Sequence, residues 1–111
     1  MTDACPPDVG APRTIGDERV DAALVAQARA AAARRARGAP FAYAVGRAAF
    51  RHLTLDVDER VLIPRQETEV LVDEVLAALG GRPGGVLVDV GTGSGAIALA
   101  LACEARAERV I

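Results

Sequence analysis

The sequence predicts an α/β protein that has a short helical N-terminal segment, a β-hairpin, and the start of a domain built on a parallel sheet. Apolar residues recur with helical spacing over residues 17–37 and 67–79, but near period two between residues 50 and 57. Residues 86–111 run from an apolar segment through three alternating glycines into a second apolar segment and the start of another. That order of strand, glycine loop, helix and strand opens a βαβ unit.

Composition excludes several classes of protein. The 111 residues suffice for one domain, and the net charge of -2 gives no overall field that would attract nucleic acid or a membrane surface. The longest apolar run, residues 96–103, is far shorter than the roughly 20 residues of a membrane span. Cys5, His52 and Cys103 form no ligand cluster, and the N-terminus lacks the pattern of a signal peptide. We expect a cytoplasmic protein with no metal, no direct nucleic-acid contact and no membrane contact.

The N-terminal part divides into a flexible leader, residues 1–16, and a helical segment, residues 17–40. The leader is rich in proline and glycine, and the helix begins at Asp17 with acids and ends with arginines, as the helix dipole favours. Gly38 fits the position after the last helical residue. The arginines at this end are interpreted as a solvated helix terminus, and the alternative is a docking patch for an RNA-rich partner.

Residues 41–64 are predicted to be a β-hairpin linker. Phe50, Leu55 and Val57 lie near period two, residues 56–60 supply a polar turn, and residues 61–63 form the second strand. His52 is interpreted as a hairpin residue and not as a base.

Residues 65–111 are predicted to begin the larger domain. A helix over residues 67–79 begins with acidic residues, which favour a helix N-terminus. Its predicted apolar face comprises Val70, Leu71, Val75, Leu76 and Leu79. Residues 86–90 read as a strand buried on both faces and residues 96–103 as a buried helix, with Cys103 a small core residue. A second strand begins at residues 110–111.

The glycine loop fits two cofactor classes. Gly91, Gly93 and Ala96 satisfy the dinucleotide fingerprint, whereas Asp89 and the glycines up to Gly95 fit the acid-x-Gly-x-Gly-x-Gly pattern of class I S-adenosylmethionine (SAM) methyltransferases. A carboxylate at the strand end suits the ammonium group of SAM and would repel a pyrophosphate. The loop therefore favours SAM over NAD, and a tight turn without a ligand is the third interpretation.

Three blocks in order, "RGAPFAYAVG", "LDVDERVLIPRQETE" and "VLVDVGTGSGAIALALACE", resemble the glutamine N5-methyltransferases of peptide chain release factors, the HemK/PrmC family. The block containing "IPRQETE" favours this branch over sister enzymes that act on a ribosomal protein glutamine. The resemblance implies a small helical domain, a hairpin linker and a Rossmann-like class I SAM-dependent methyltransferase domain. It also implies a release factor as protein substrate and a monomeric full-length enzyme.

The resemblance assigns site residues by position. Six residues would bind the cofactor: Asp89, Gly91, Thr92, Gly93, Ser94 and Gly95. Three more would lie beside the cofactor pocket: Arg65, Glu67 and Thr68. On the residues alone, Arg65 and Glu67 fit a helix start with exposed charges equally well. Tyr43 and Gly46 match a Tyr-x-x-Gly element that implies a structural contact between domains.

The sequence departs from the family at three points. Gln66 replaces a second proline, the helical N-terminal part is short, and the Asn-Pro-Pro-Tyr motif that holds the substrate amide is missing. No catalytic residue is therefore predicted within this chain, which we expect to be an inactive N-terminal fragment with a truncated catalytic domain. The alternatives are a methyltransferase for a ribosomal protein glutamine and a non-catalytic nucleotide-binding or adaptor module.

Overall fold

The computed structural model describes residues 21–111, which form a small mixed arrangement of helices and strands. In chain order the elements are α1 (Ala22–Ala36), α2 (Phe41–Val45), β1 (Arg47–Phe50), β2 (Leu53–Asp56), α3 (Glu67–Leu79), β3 (Val86–Leu87), α4 (Ala96–Glu104) and β4 (Arg109–Val110). The predicted leader, residues 1–16, and the predicted helix start at Asp17 lie outside the described residues.

Helix α1 is closed at both ends by local hydrogen bonds. The carboxylate of Asp21 accepts a hydrogen bond from the N–H of Ala23 at 3.1 Å, which satisfies a donor of the first turn. Gly38 has φ +94°, and the N–H groups of Gly38 and Ala39 donate to carbonyls of the last turn. This is a Schellman end, and it confirms the predicted role of Gly38.

The arginines at the end of α1 bond to backbone carbonyls. Arg34 Nε donates to the Ala44 carbonyl at 2.8 Å and thereby ties α1 to α2. Arg35 donates to the Ala39 carbonyl at 2.7 Å in the turn that follows the helix. The helix terminus is therefore more than a solvated charge cluster, because these side chains hold the turn and α2 in place.

The hairpin begins earlier in the chain than predicted. The strands β1 and β2 pair antiparallel with Ala48 opposite Leu55 and Phe50 opposite Leu53, so residues 51–52 form the turn. The predicted strand at residues 61–63 is wrong, and α2 occupies the start of the predicted linker. The polar residues do form a turn, in which the Val61 N–H donates to the Asp58 carbonyl at 3.1 Å, but this turn follows β2 and does not connect the two strands of the hairpin. The observed register places Ala48, Phe50 and Leu55 on one buried face.

Helix α3 has the predicted bounds, and the face that it presents to the core only partly matches the predicted one. Val72 is fully buried, and Val75 and Leu76 pack against the core. Val70 and Leu71, which the apolar spacing assigned to the buried face, are 58% and 52% exposed. The buried stripe follows helical spacing from Val72, so the prediction is confirmed for Val75 and Leu76 and is wrong for Val70 and Leu71.

Strands β3 and β4 pair in parallel on either side of α4, which confirms the order predicted for residues 86–111. The prediction that the first strand is buried on both faces is wrong. Its outward face comprises Val86, Val88 and Val90, which are all exposed, and Leu99 of α4 is also exposed. Among the described residues the sheet has two strands, and its helices do not cover the valine face.

One apolar core joins the hairpin, α3 and α4. Its buried members are Ala48, Phe50, Leu55, Val57, Val72, Ala96, Ala100 and Leu101. Phe50 and Val72 are the largest fully buried side chains in the described part of the chain. The hairpin is therefore packed against the two helices and is not a free linker.

Candidate functional site

The glycine loop between β3 and α4 requires glycine for its backbone conformation. Gly91, Gly93 and Gly95 have φ angles of +76°, +58° and +80°, which L side chains rarely adopt. A Cβ at Gly91 would meet no atom within 4 Å, and one at Gly93 would lie 4.0 Å from the Gly91 carbonyl oxygen. The space above the first two glycines is open, so a ligand can approach the backbone there.

Internal hydrogen bonds hold the loop against the start of α4. The Gly95 N–H donates to the Thr92 carbonyl at 2.9 Å, and the Leu99 N–H donates to the Gly95 carbonyl at 2.8 Å. Thr92 is exposed and Ser94 is half-buried. A hydrogen-bonded turn thus joins the loop to α4, and Thr92 in this turn is exposed to solvent.

Asp89 connects the strand end to the first turn of α4. One carboxylate oxygen, Oδ2, accepts a hydrogen bond from the N–H of Ala98 at 3.2 Å, and the Asp89 N–H donates to the Ile111 carbonyl at 2.7 Å. The side chain is half-buried. Asp89 therefore acts as a cap for α4, in a position where negative charge is also favoured by the helix dipole. Its second oxygen, Oδ1, makes no hydrogen bond to any of residues 21–111.

The residues predicted beside the pocket occupy the turn that starts α3. Arg65 and Glu67 are exposed, and Thr68 is half-buried with its N–H donating to the Arg65 carbonyl at 3.1 Å. The next residue, Glu69, accepts a hydrogen bond from the Arg51 N–H at 2.9 Å. The Glu-Thr-Glu segment therefore presents its first acid to solvent and uses its second to bind the hairpin turn.

Sequence reasoning missed a cluster of charged residues centred on Arg51. The Arg51 guanidinium contacts Glu104 Oε1 and Oε2 at 2.6 and 2.7 Å, and Asp73 Oδ1 at 2.8 Å. The hydrogen bond from Arg51 lowers the pKa of Glu104, and the same bond raises the pKa of Arg51. Only the spacing of Glu69 and Asp73, four residues apart on one helix face, hinted at a shared partner.

Three other residues singled out in the sequence lie outside the glycine loop and the start of α3. The Tyr43 hydroxyl donates to the Val61 carbonyl at 2.6 Å, which joins α2 to the segment after the hairpin. His52 is exposed in the hairpin turn, and Cys103 is half-buried in α4.

Two cavities in the described part of the chain lie away from the glycine loop. One of about 580 Å³ is lined by Gly46, Val57 and Arg60 among others, and one of about 530 Å³ lies along α1. Within residues 21–111 no group of His, Cys, Asp and Glu side chains could hold a metal ion. The candidate site is consequently an open surface formed by the loop and Asp89.

None of the helices described between residues 21 and 111 has the length and hydropathy of a membrane span.

The sequence is similar to release factor glutamine methyltransferases. It is 47% identical over 91 residues to that of Xylella fastidiosa (strain Temecula1 / ATCC 700964), 46% over 97 residues to that of Burkholderia pseudomallei (strain K96243), and 57% over 63 residues to that of Lactococcus lactis subsp. lactis (strain IL1403). The alignments cover 82%, 87% and 57% of this chain. No family model matches the chain.

The same alignments cover 33%, 34% and 23% of the relatives, so the chain spans about a quarter to a third of the length of these curated relatives. Over the aligned residues the chain is related to release factor glutamine methyltransferases, and the resemblance expected from the three sequence blocks is confirmed.

Proposed function

We propose that the protein takes part in methyl transfer from SAM to the side-chain amide nitrogen of a glutamine in a peptide chain release factor. The observation that carries the proposal is the geometry of Asp89 and the glycine loop, in a chain that is 46% identical over 97 residues to the release factor glutamine methyltransferase of Burkholderia pseudomallei (strain K96243). Residues 65–111 would begin a Rossmann-like catalytic domain, in a protein of the cytoplasm.

The loop residues fit the cofactor chemically. Above Gly91 and Gly93 the backbone is open, so an amino-acid head group can approach peptide groups that a Cβ would shield. Asp89 Oδ2 is committed to Ala98, whereas Oδ1 can accept a hydrogen bond from an ammonium group. A pyrophosphate at the same place would face the negative charge of Asp89, which favours SAM over a dinucleotide.

When bound, SAM supplies an electrophilic methyl group on a sulfonium. In the proposed reaction the glutamine amide nitrogen forms the new bond to the methyl carbon, the carbon–sulfur bond breaks, sulfur keeps its electron pair, and the nitrogen loses a proton. In this chain Asp89 and the loop would orient the cofactor. None of the described residues is assigned to activate the amide nitrogen.

The binding test uses the 111-residue chain and nuclear magnetic resonance (NMR). We expect SAM and its product S-adenosylhomocysteine to shift the amide signals of Gly91, Gly93 and Gly95, and NAD to leave them unchanged. Asp89→Asn keeps an oxygen that can cap α4 but removes the charge, so we expect affinity for S-adenosylhomocysteine to fall about ten-fold. Affinity for methylthioadenosine, which lacks the amino-acid head, should stay the same. Glu74→Gln, an exposed acid on α3, is the matched control.

A NAD-induced shift at the loop without a SAM-induced shift would contradict the proposed cofactor. Equal weakening of S-adenosylhomocysteine and methylthioadenosine in Asp89→Asn would show that Asp89 supports the loop and does not bind the ammonium group.

The substrate is tested in a hybrid enzyme. The aligned residues of this chain replace the corresponding segment of the Burkholderia pseudomallei relative, and methyl transfer is measured with labelled SAM. We expect label on a release factor and none on ribosomal subunits. Label on a ribosomal protein instead would favour the alternative glutamine substrate.

A further inference from the structure

The turn of the hairpin contains the one non-glycine residue with positive φ in the described part of the chain. Arg51 has φ +52°, a left-handed conformation that is strained for an L residue and not for glycine. Its side chain is only 12% exposed although the residue lies at a turn. Glycine would adopt this conformation without strain but has no side chain. The presence of a buried arginine therefore indicates that its side-chain contacts have a role.

Those contacts reach two helices at once. From α3, Asp73 accepts a hydrogen bond from Arg51 NH1 at 2.8 Å and the Glu69 carbonyl accepts one at 3.2 Å. From α4, Glu104 binds the guanidinium with both carboxylate oxygens and is itself 20% exposed. Such bidentate, charge-assisted bonds fix orientation as well as distance.

One of the two helices held by Arg51 follows the candidate site, and the other follows the segment predicted to lie beside the cofactor pocket. Helix α3 follows Arg65 and the residues predicted beside the pocket, and α4 follows the glycine loop. Helix α4 is fixed at one end by the Asp89–Ala98 bond and at the other by Glu104. Rigid helices transmit a displacement at one end to the other, so the Arg51 cluster sets where the loop lies relative to the start of α3.

We propose that Arg51 is a positioning residue for the SAM site, acting through Glu104 on the glycine loop and through Glu69 and Asp73 on the start of α3. This inference rests on the proposed function. Arg51 does not contact the loop; it fixes the relation between the two helices that present the site.

A second arginine supplies a matched control. Arg60 also binds a carboxylate, that of Asp58, two residues away and within one turn. Both side chains of that pair are largely exposed, and neither reaches α3 or α4. Arg60→Gln therefore removes an arginine–carboxylate pair of the same chemistry without loosening the helices.

The test measures amide hydrogen exchange in the ligand-free 111-residue chain. Arg51→Gln and Glu104→Gln should accelerate exchange at Gly95 and Ala98 about ten-fold, whereas Ala44, whose N–H bonds to the Pro40 carbonyl in α2, should change little. Arg60→Gln should change none of them. Equal acceleration at all three amides would show that Arg51 only stabilises the whole fold and would overturn the proposal, as would no acceleration at Gly95 and Ala98.

A second measurement separates this proposal from the proposed function. In titrations at a temperature where every variant is folded, Arg51→Gln and Glu104→Gln should bind S-adenosylhomocysteine about ten-fold more weakly, and Arg60→Gln should bind normally. Absence of binding by both the unaltered chain and the hybrid enzyme overturns the proposed function. Normal binding by both variants overturns only the role of Arg51. If Arg51→Gln does not fold, Glu104→Gln decides, because it leaves the contacts between Arg51 and α3 intact.

Discussion

Replacing Arg51 by alanine and by glycine separates the backbone cost of its left-handed conformation from the contribution of its side chain. Alanine keeps φ near +52° without the guanidinium, so Glu104 loses its partner while it is only 20% exposed. Exposed ion pairs contribute at most about 1 kcal/mol, and removing one partner of a fully buried pair costs about 3–5 kcal/mol. We expect Arg51→Ala to lower the free energy of unfolding by about 2–3 kcal/mol, between these limits.

The Arg51→Gly variant loses the same side-chain contacts as Arg51→Ala, but glycine adopts the left-handed conformation without strain. The left-handed conformation costs alanine roughly 1–2 kcal/mol, and the greater freedom of glycine in the unfolded chain returns about 0.4–1 kcal/mol of that. Arg51→Gly should therefore be more stable than Arg51→Ala by about 0.5–1 kcal/mol. The informative quantity is the sign of the stability difference between the glycine and alanine variants. In an ordinary strand conformation glycine is the less stable of the two, so a more stable glycine variant indicates a left-handed conformation at residue 51.

Urea unfolding followed by circular dichroism measures both differences, with the slope compared between variants to detect changes in the unfolded state. Ala49→Gly is the control, because Ala49 is an exposed residue of β1 with an ordinary strand conformation. It should lose stability. If the Arg51→Gly variant is less stable than the Arg51→Ala variant, the backbone at residue 51 is not strained. If Arg51→Ala lowers the free energy of unfolding by less than about 0.5 kcal/mol, the Arg51 cluster contributes no more than exposed ion pairs do.

Three further predictions concern single features of the structure. Gly93→Ala should cost about 0.5–1.5 kcal/mol in urea unfolding, because φ is +58° and the nearest atom to an added Cβ lies 4.0 Å away, so the cost is backbone strain alone; an unchanged midpoint would contradict it. The Arg51 bond lowers the pKa of Glu104, so its stabilisation is present above the usual pKa of 4.5 and is lost as pH falls below it. The stability difference between the unaltered chain and Glu104→Gln should therefore begin to shrink as pH falls below 4.5 and disappear below the lowered pKa of Glu104, and a constant difference would refute the link. Tyr43→Phe should cost about 1 kcal/mol in thermal or urea unfolding, because it removes the donor to the Val61 carbonyl; no loss would show that this bond makes no net contribution.

The parts of the fold that follow from local signals were predictable from the sequence. The bounds of α3, the Gly38 end of α1 and the loop before α4 depend on spacing, capping and glycine, which neighbouring residues determine. The site could be placed for the same reason, since three alternating glycines after a strand restrict the backbone conformations available there. The roles of Asp89 and the loop in binding stay predictions.

The parts that depend on distant partners were not predictable. The hairpin turn contains arginine in place of the usual glycine or asparagine, so residues 51–52 do not have the composition of a hairpin turn. The polar residues 56–60 do have a turn composition, and the hairpin turn was therefore predicted there. The buried face of α3 differed from the predicted one because packing against the hairpin core selects Val72. The exposure of the valine face of β3 also depends on which elements pack against the strand. A continuous apolar run does not predict which face of the strand those elements cover.

The sequence separation of the contacts has a consequence for the order in which the chain folds. The β-hairpin pairs residues three to nine positions apart. The Tyr43 bond joins residues 18 positions apart, whereas Arg51 and Glu104 are separated by 53. Loop closure takes more entropy as the separation grows, so nearby contacts form with a smaller barrier. We expect the hairpin to form early and the Arg51–Glu104 contact to close last. A nascent chain would thus present Arg51 in a formed turn before the helix that carries its partner has been synthesised.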